Sequence, residues 1–303
     1  MRRKADRLRT VTVILVALPV LAVLALGVAY WVSPLHTFNT LVPKDAGARK
    51  MAEGLAYGEN PRQRLDIYAP LESPDVRLPV IVFFYGGSWN SGTREGYDFA
   101  GRALAAQGFV VVVPDYRLVP EVRYPGFVED GAEALRWVSA NIADHGGDPE
   151  RVVLSGHSAG AHIAALLSYD ARWLEEEHDM LRGFVGLAGP YDFLPLDTHS
   201  SRAAFGEWPD LPETQPVTWA RSEASPGHPP ALLLTGADDT TVKPRNSEAL
   251  AAALENAGVD AQVIAYDEVD HIDILIHLAR PLRSRSPVLR DLIAFAHART
   301  RIE

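Results

Sequence analysis

The hydrophobic and polar positions of the chain alternate between short apolar runs and amphipathic stretches. Seven runs of apolar and β-branched residues, bounded by glycine, proline or charged residues, predict strands. They lie at residues 64–70, 78–87, 109–117, 151–156, 183–189, 230–236 and 261–267. Between them, residues 94–107 and 127–143 predict helices, because apolar positions recur there at three- and four-residue spacing. Strands that alternate with helices indicate an α/β fold with a mostly parallel, twisted sheet and helices on both faces.

A different pattern occupies the N-terminus, where residues 11–32 include no charged residue. A helix of this length can cross a hydrocarbon core of about 30 Å, and five of the first ten residues are basic. We therefore expect a basic flank at 1–10, a transmembrane anchor in the lipid bilayer at 11–32, a linker at 33–54 and one domain at 55–303. The basic residues that flank a membrane-spanning helix are usually on its cytoplasmic side. The N-terminus is therefore expected in the cytoplasm and the domain on the periplasmic or extracellular side.

A cleaved secretory signal is the alternative interpretation of the same segment. Ala25 and Gly27 supply a small-x-small cleavage site, although the apolar region of a signal is usually only about 7 to 15 residues long. In that case the domain would be secreted rather than anchored.

Composition excludes several kinds of site and partner. The chain of 303 residues is 47% hydrophobic, which is enough for one large core. It has no cysteine, so a disulfide, a thiolate nucleophile and a cysteine-ligated metal are all excluded. The net charge is −10 although five of the first ten residues are basic, and a surface this acidic disfavours a nucleic-acid partner.

One serine stands where a predicted strand meets a predicted helix. Residues 151–168 read RVVLSGHSAGAHIAALLS, and residues 156–160 have the form GxSxG around Ser158. Between a strand and a helix this is the nucleophile-elbow motif. Glycine is needed two positions away on either side because the sharp turn leaves no room for side chains. Ser158 is the candidate nucleophile; a serine N-cap beside two packing glycines is the structural alternative.

A serine nucleophile needs a histidine base and a carboxylate that orients it. After a nucleophile elbow, the acid follows one late strand and the histidine follows the last. The last predicted strand is followed by EVDHIDIL, so His271 is the candidate base. The strand before it is followed by ADDTTV, where Asp238 and Asp239 are both candidates, and spacing does not decide between them.

Backbone N–H groups near the serine could form an oxyanion hole. The segment FFYGGSW ends a predicted buried strand in two glycines, so the backbone can approach a ligand closely there. Gly87, Ser88 and Ala159, the residue after the candidate nucleophile, are the candidate donors. A plain glycine turn is the structural alternative.

Several segments together resemble the α/β-hydrolases, specifically the esterase and lipase branch related to hormone-sensitive lipase, carboxylesterases and kynurenine formamidase. The resemblance covers residues 55–298 and rests on YGGSWNSG, VVVPDYRLVPEVRYPGFVEDGAEALRWV, GGDPERVVLSGHSAGAHIA, LLLTGADDTTV and DHIDIL. It implies the α/β-hydrolase fold, a Ser/Asp/His triad and carboxylic-ester hydrolysis, with no metal or organic cofactor. By the same resemblance the acid is Asp239, the third residue after Gly236.

Two positions depart from the family pattern. Tyr85 stands where the family motif HGGxW begins with histidine, which leaves the backbone amides available but changes the local hydrogen bonding of the oxyanion loop. His271 follows Asp270, whereas the family histidine usually follows glycine.

The substrate site is expected beside a lid-like segment at 190–230, because long irregular connections usually bind ligands. Trp89, His157, Phe193 and Trp208 are the candidate substrate-binding residues. The short lid favours a small or medium ester, so we expect a membrane-anchored serine esterase. An arylformamidase of the N-formylkynurenine type and a catalytically inactive binding protein with the hydrolase fold are the alternatives.

Overall fold

The computed structural model describes residues 27, 33–72, 76–221 and 227–301. The chain divides into two units, Met1–Val42 and Pro43–Glu303. In the first unit, helix α1 spans Pro34–Leu41 and begins at a proline, which suits the first helical position because its missing N–H has no helical acceptor there.

The predicted membrane localisation is wrong. Within residues 27, 33–72, 76–221 and 227–301, no helix has both the length and the apolar character needed to cross a bilayer. All of the predicted anchor, residues 11–32, except Gly27 lies outside the described residues.

The described residues of the second unit include an eight-stranded sheet, in the order β1-β2-β4-β3-β5-β6-β7-β8. Strands β1, β2 and β4 pair antiparallel, and the neighbours from β4 to β8 pair parallel. The strands are β1 (Ala48–Ala56), β2 (Arg64–Pro70), β3 (Leu78–Phe84), β4 (Val110–Pro114), β5 (Gly147–His157), β6 (Leu181–Leu187), β7 (Ala231–Gly236) and β8 (Ala261–Tyr266). The predicted mostly parallel sheet is confirmed.

Helices fill the connections between the parallel strands. The α-helices among the described residues of the second unit are α2 (Asp98–Ala105), α3 (Gly126–Asn141), α4 (Ala159–Tyr169), α5 (His199–Phe205), α6 (Pro216–Ala220), α7 (Arg245–Asn256), α8 (Asp273–Ile276) and α9 (Val288–Arg299). Helix α4 lies against β5 and β6 and packs on α3.

The central strands are apolar along their whole length because both of their faces are covered. Consecutive residues of β3 from Val80 to Phe84 have no exposed surface, although side chains alternate between the two faces of a strand. Parallel strands buried on both faces read as continuous apolar runs, which is why β3 and β4 stand out in the sequence.

Strand β1 has no such pattern. Its residues, ARKMAEGLA, are mostly half-exposed and pair only with β2. Most of this strand falls in residues 33–54, which we had assigned to a linker.

The register brings the ends of four strands to one edge of the sheet. Phe84 at the end of β3 pairs with Gly156 of β5, and Gly236 of β7 pairs with Tyr266 of β8. Ligands of open α/β sheets bind at this carboxyl edge, and the segments that carry the candidate catalytic residues begin there.

Candidate active site

Ser158 lies on a sharp turn between β5 and α4. Its φ is 53° and its ψ is −123°, a conformation that non-glycine residues rarely adopt. A Cβ on Gly160 would lie 2.1 Å from the carbonyl oxygen of Phe84, and one on Gly156 would lie 2.6 Å from the backbone of Gly160. A side chain at either position would overlap backbone atoms, so both positions require glycine. The Ser158 side chain makes no capping hydrogen bond, so it does not act as an ordinary helix cap.

The three residues of the predicted triad form a continuous hydrogen-bonded chain. Nε2 of His271 lies 2.9 Å from Oγ of Ser158, and Nδ1 lies 2.7 Å from Oδ2 of Asp239. Because a carboxylate only accepts, Nδ1 carries the proton and Nε2 is free to accept one from Ser158. Oδ1 of Asp239 accepts the backbone N–H groups of Thr241 and Val242, each at 2.8 Å, which fixes the carboxylate plane.

Neither of the other nearby carboxylates faces the imidazole. Asp238 is exposed, whereas Asp239 is buried. Oδ1 of Asp270 accepts the backbone N–H groups of Ile272 and Asp273 at 2.8 Å, so this residue closes the turn that follows His271. Of the two residues that spacing left open, the structure places Asp239 beside the histidine.

The glycine-rich loop after β3 has a left-handed backbone over three successive residues. The φ angles of Gly87, Ser88 and Trp89 are 141°, 52° and 61°. The loop is closed by N–H groups of Asn90 and Ser91, which both donate to the Gly87 carbonyl at 3.0 Å. A Cβ on Gly87 would lie 2.2 Å from the Ser91 carbonyl oxygen, so this position accepts only glycine.

Two of the three candidate oxyanion donors line the same cavity as Ser158. Ser88 and Ala159 are on its wall, and Gly87 is not. Ala159 is the first residue of α4, so its N–H has no helical acceptor. The N–H of Ser158 itself donates to the Leu187 carbonyl at 2.9 Å and is therefore not available.

Tyr85 forms a buried polar network in place of the family histidine. Its hydroxyl donates to Oδ1 of Asp115 and accepts from Nη2 of Arg62, both at 2.8 Å. Burial, reinforced by Asp115, raises the pKa of Tyr85 well above its ordinary value, so the hydroxyl stays protonated and keeps donating. At this position a phenol hydroxyl, and not an imidazole, therefore bonds to Asp115 and Arg62.

Two further tyrosines hold the loop backbone. The hydroxyl of Tyr116 donates to the Tyr85 carbonyl at 2.8 Å, and that of Tyr97 accepts the Gly86 N–H at 3.0 Å. Sequence reasoning did not single out either residue. The only available signal for Tyr116 was its position in VVVPDYRLVP, one of the segments that carried the family resemblance.

A family model described as BD-FAE matches residues 65–254. This is more than half of the 303 residues, and it includes Ser158 and Asp239. The chain belongs to the BD-FAE family. The expected membership in the esterase and lipase group of α/β-hydrolases is thereby confirmed, and curated relatives and solved structures agree with it.

Curated relatives of this BD-FAE member carry esterase names. A probable isoprenylcysteine alpha-carbonyl methylesterase of Oryza sativa subsp. japonica is 32% identical over 271 residues, which cover 82% of this chain and 63% of the relative. Esterase LipQ of Mycobacterium tuberculosis is 31% identical over 253 residues, which cover 76% of this chain and 58% of the relative. The chain thus spans less than two thirds of the length of these relatives.

Solved structures of esterases share the fold. Esterase B from Lactobacillus rhamnosis superposes with a TM-score of 0.76 at 21% identity, covering 92% of this chain and 96% of that protein. An esterase from Pyrobaculum calidifontis has a TM-score of 0.70 at 25% identity, covering 88% and 90%. The α/β-hydrolase fold predicted from the sequence is therefore confirmed.

A cavity of about 410 Å³ opens beside Ser158 in this BD-FAE member. Trp89 and Phe193, two of the predicted substrate-binding residues, line it and stack with ring centroids 5.9 Å apart. Trp208 is not on its wall; it packs edge-on against Tyr124 and donates to Oε2 of Glu213 at 3.2 Å.

The predicted lid-like segment contains helices α5 and α6 and a 3₁₀ turn at Leu211–Thr214, and residues 222–226 of it lie outside the described residues. The cavity wall also includes Asp197, Lys243 and Arg245, which sequence reasoning missed. Lys243 directly follows the segment ADDTTV and Arg245 lies two residues further on, and that position was their only signal.

His157, the other predicted substrate-binding residue, contacts the backbone of His271, the candidate base, and is not on the cavity wall. Its Nε2–H donates to the His271 carbonyl at 2.9 Å. Burial, with a further contribution from His271, lowers the pKa of His157 to about 3, so the ring is neutral at physiological pH. In this BD-FAE member the residue positions the backbone of His271.

His162 is a second buried neutral histidine. It accepts from Nε1 of Trp89 at 3.3 Å and donates from Nε2 to the Thr214 carbonyl at 2.8 Å. Burial lowers its pKa to about 4. The ring therefore links the wall residue Trp89 to the segment that precedes α6.

Proposed function

We propose that this BD-FAE member is a serine hydrolase that cleaves small to medium carboxylic esters through an acyl-enzyme intermediate. The observation that carries the proposal is the position of His271, which contacts Ser158 on one side and Asp239 on the other. A protein that only binds ligands gains nothing from this complete arrangement, so the geometry favours catalysis over a purely binding role.

In the first half of the reaction, Oγ of Ser158 forms a bond to the ester carbonyl carbon while Nε2 of His271 takes the hydroxyl proton. The tetrahedral intermediate collapses, its bond to the alcohol oxygen breaks, and His271 returns the proton to the leaving alcohol. Asp239 stabilises the imidazolium and keeps the proton on Nδ1. In the second half, water attacks the acyl-serine by the same route and releases the acid.

The developing negative charge needs donors in place before the reaction. We assign this role to the backbone N–H groups of Gly87, Ser88 and Ala159, of which Ser88 and Ala159 share the cavity wall with Ser158. Losing one such donor typically lowers kcat by about 10²- to 10³-fold. The strained, closely packed loop supports the assignment because rigid donors do not have to reorganise during the reaction.

The size of the cavity supports a small or medium ester. Ligand cavities typically measure about 300 to 1,000 Å³, and this one, at about 410 Å³, is near the lower end. The curated relatives are named as esterases, one of them for a methyl ester, which supports ester hydrolysis as the class of reaction.

Hydrolysis of p-nitrophenyl esters from acetate to palmitate by the full chain tests the proposal. We expect turnover that is highest for short acyl chains, falls for palmitate and disappears in Ser158→Ala. Ser200→Ala is the matched control, because Ser200 lines the same cavity and has no role in the proposed chemistry. Equal turnover by wild type and Ser158→Ala would show that Ser158 is not the nucleophile, and a folded wild type without turnover on any ester would refute the proposed activity.

A further inference from the structure

The wall of the cavity beside Ser158 carries two chemically different sets of residues. Trp89, Pro190 and Phe193 are apolar. Lys243 and Arg245, at the beginning of α7, are cationic. An ester in the cavity therefore has both aromatic rings and two cations available as contacts.

Neither cation forms an ion pair with any residue of the described part of the chain, although both side chains are exposed to the cavity and solvent. Other arginines of the described chain do have carboxylate partners; Arg94, for example, bonds to Asp66 and Asp115. These two cations belong to a chain with a net charge of −10, yet only one acidic residue, Asp197, shares the described cavity wall with them.

We propose that Lys243 and Arg245 bind an anionic group on the substrate, so that the preferred ester carries a carboxylate. This inference rests on the proposed esterase function and names its substrate class. Charge-assisted hydrogen bonds from ammonium and guanidinium groups to carboxylates are among the stronger polar contacts, and arginine can make two of them at once.

The net charge of the cavity wall favours a substrate group that carries a single negative charge. Asp197 is the one carboxylate among the described lining residues, so with two cations the wall carries a net charge of about +1 at neutral pH. A carboxylate would neutralise that charge, whereas a doubly charged phosphate would leave an excess. The local positive charge would also attract the substrate to an otherwise acidic protein.

Two pairs of substrates, each differing mainly in one negative charge, test the inference on both sides of the scissile bond. The first pair is 4-acetoxybenzoate and its methyl ester, with the charge on the alcohol side. The second is the p-nitrophenyl monoester of adipic acid and p-nitrophenyl hexanoate, with the charge on the acyl side. We measure kcat/KM for each and take the ratio of charged to neutral substrate, because intrinsic reactivity cancels when variants are compared.

In the variant Lys243→Gln/Arg245→Gln we expect this ratio to fall about tenfold for at least one pair, the size typical of two exposed charge contacts. The loss should appear mainly in KM, since binding is affected more than chemistry. Asp197→Asn should raise the ratio. Salt at about 0.5 M should reduce the wild-type preference, because it screens exposed charges.

The matched control is Arg77→Gln/Arg182→Gln, which removes the same charge from the opposite edge of the sheet. Arg77 precedes β3 and Arg182 lies at the beginning of β6, whereas the cavity is at the carboxyl ends of these strands. This control should leave both ratios within about twofold of wild type, as expected for distant exposed charges.

The outcomes separate the two proposals. If Ser158→Ala abolishes turnover but both ratios stay unchanged in a folded Lys243→Gln/Arg245→Gln variant, the anion site is refuted and the esterase function stands. An equal fall in the control variant would mean long-range charge rather than a site, which also overturns the inference. If Ser158→Ala leaves turnover intact, the proposed function itself fails.

Discussion

Replacing Asp239 with asparagine should stop catalysis with almost no change in the fold, because the surrounding hydrogen bonds dictate how the new side chain is oriented. Oδ1 of Asp239 accepts two backbone N–H groups, from Thr241 and Val242. In Asp239→Asn the amide oxygen keeps these two bonds, so the NH₂ group must take the position of Oδ2, which faces Nδ1 of His271.

An NH₂ group can only donate, so Nδ1 of His271 would have to become an acceptor. The imidazole proton would then move to Nε2, 2.9 Å from Oγ of Ser158, and the ring could no longer accept the serine proton. The wrong tautomer of a catalytic histidine costs about 10⁴-fold in kcat, which corresponds to about 5.4 kcal/mol of transition-state stabilisation.

The assay is kcat for p-nitrophenyl butyrate, measured on wild type, Asp239→Asn and Asp238→Asn, with a thermal melt of each. Asp238 is exposed and adjacent in the chain, so Asp238→Asn removes the same charge without touching the imidazole and should remain within about twofold of wild type. Retention of activity within about tenfold in Asp239→Asn would refute the tautomer argument, and a large loss in Asp238→Asn would refute the assignment of the acid.

Three other expectations concern stability. Gly160→Ala should lower the free energy of unfolding by about 3 kcal/mol or more, because its Cβ would lie 2.1 Å from a backbone oxygen, while Gly47→Ala, with its nearest contact at 3.6 Å, should be nearly neutral in a urea titration. The pKa of His162 is lowered to about 4, so the folded state favours the neutral ring and the free energy of unfolding falls as the pH drops below about 6.5. Between pH 7 and pH 5 this effect costs about 2 kcal/mol, and His162→Asn should remove that part of the pH dependence. Tyr85→Phe should destabilise by about 1 to 3 kcal/mol, since Asp115 loses a buried donor; an unchanged melting temperature would contradict this.

The sequence was sufficient for the parts of the fold in which burial determines residue type. Strands β3 and β4 are continuous apolar runs because both of their faces are covered. The strand-to-helix turn at Ser158 was also predictable, because it needs glycines at fixed positions. A Cβ at either Gly156 or Gly160 would overlap neighbouring backbone atoms. In these cases the physical constraint acts within a few residues, so it leaves a local signal.

Features that depend on distant partners left no such signal. Strand β1 is a half-exposed edge strand, so its residues do not alternate or form an apolar run. Spacing alone does not distinguish Asp238 from Asp239; the family resemblance indicates Asp239, and the structure places its carboxylate beside His271, 32 residues later. Trp208 was predicted to bind substrate because aromatic residues often line ligand cavities, but its ring packs edge-on against Tyr124.

The geometry of the site is determined mainly by backbone contacts between the segments that carry the candidate catalytic residues. Gly236 at the end of β7 lies so close to the loop before His271 that a Cβ there would be 2.1 Å from the Val269 carbonyl oxygen. The N–H of Asp238 donates to the same oxygen at 3.1 Å. Backbone contacts alone therefore hold the segment that carries Asp239 against the segment that carries His271.

The elbow is fixed to the base segment by a separate contact, the hydrogen bond from His157 to the His271 carbonyl. Since the base thus has two independent backbone supports, losing one should shift it without detaching it. We expect His157→Ala to lower kcat more than it raises KM, and His157→Gln, which can keep the donor, to recover part of the loss. Equal effects of the two substitutions on kcat would show that the ring contributes by filling space, and not through its hydrogen bond.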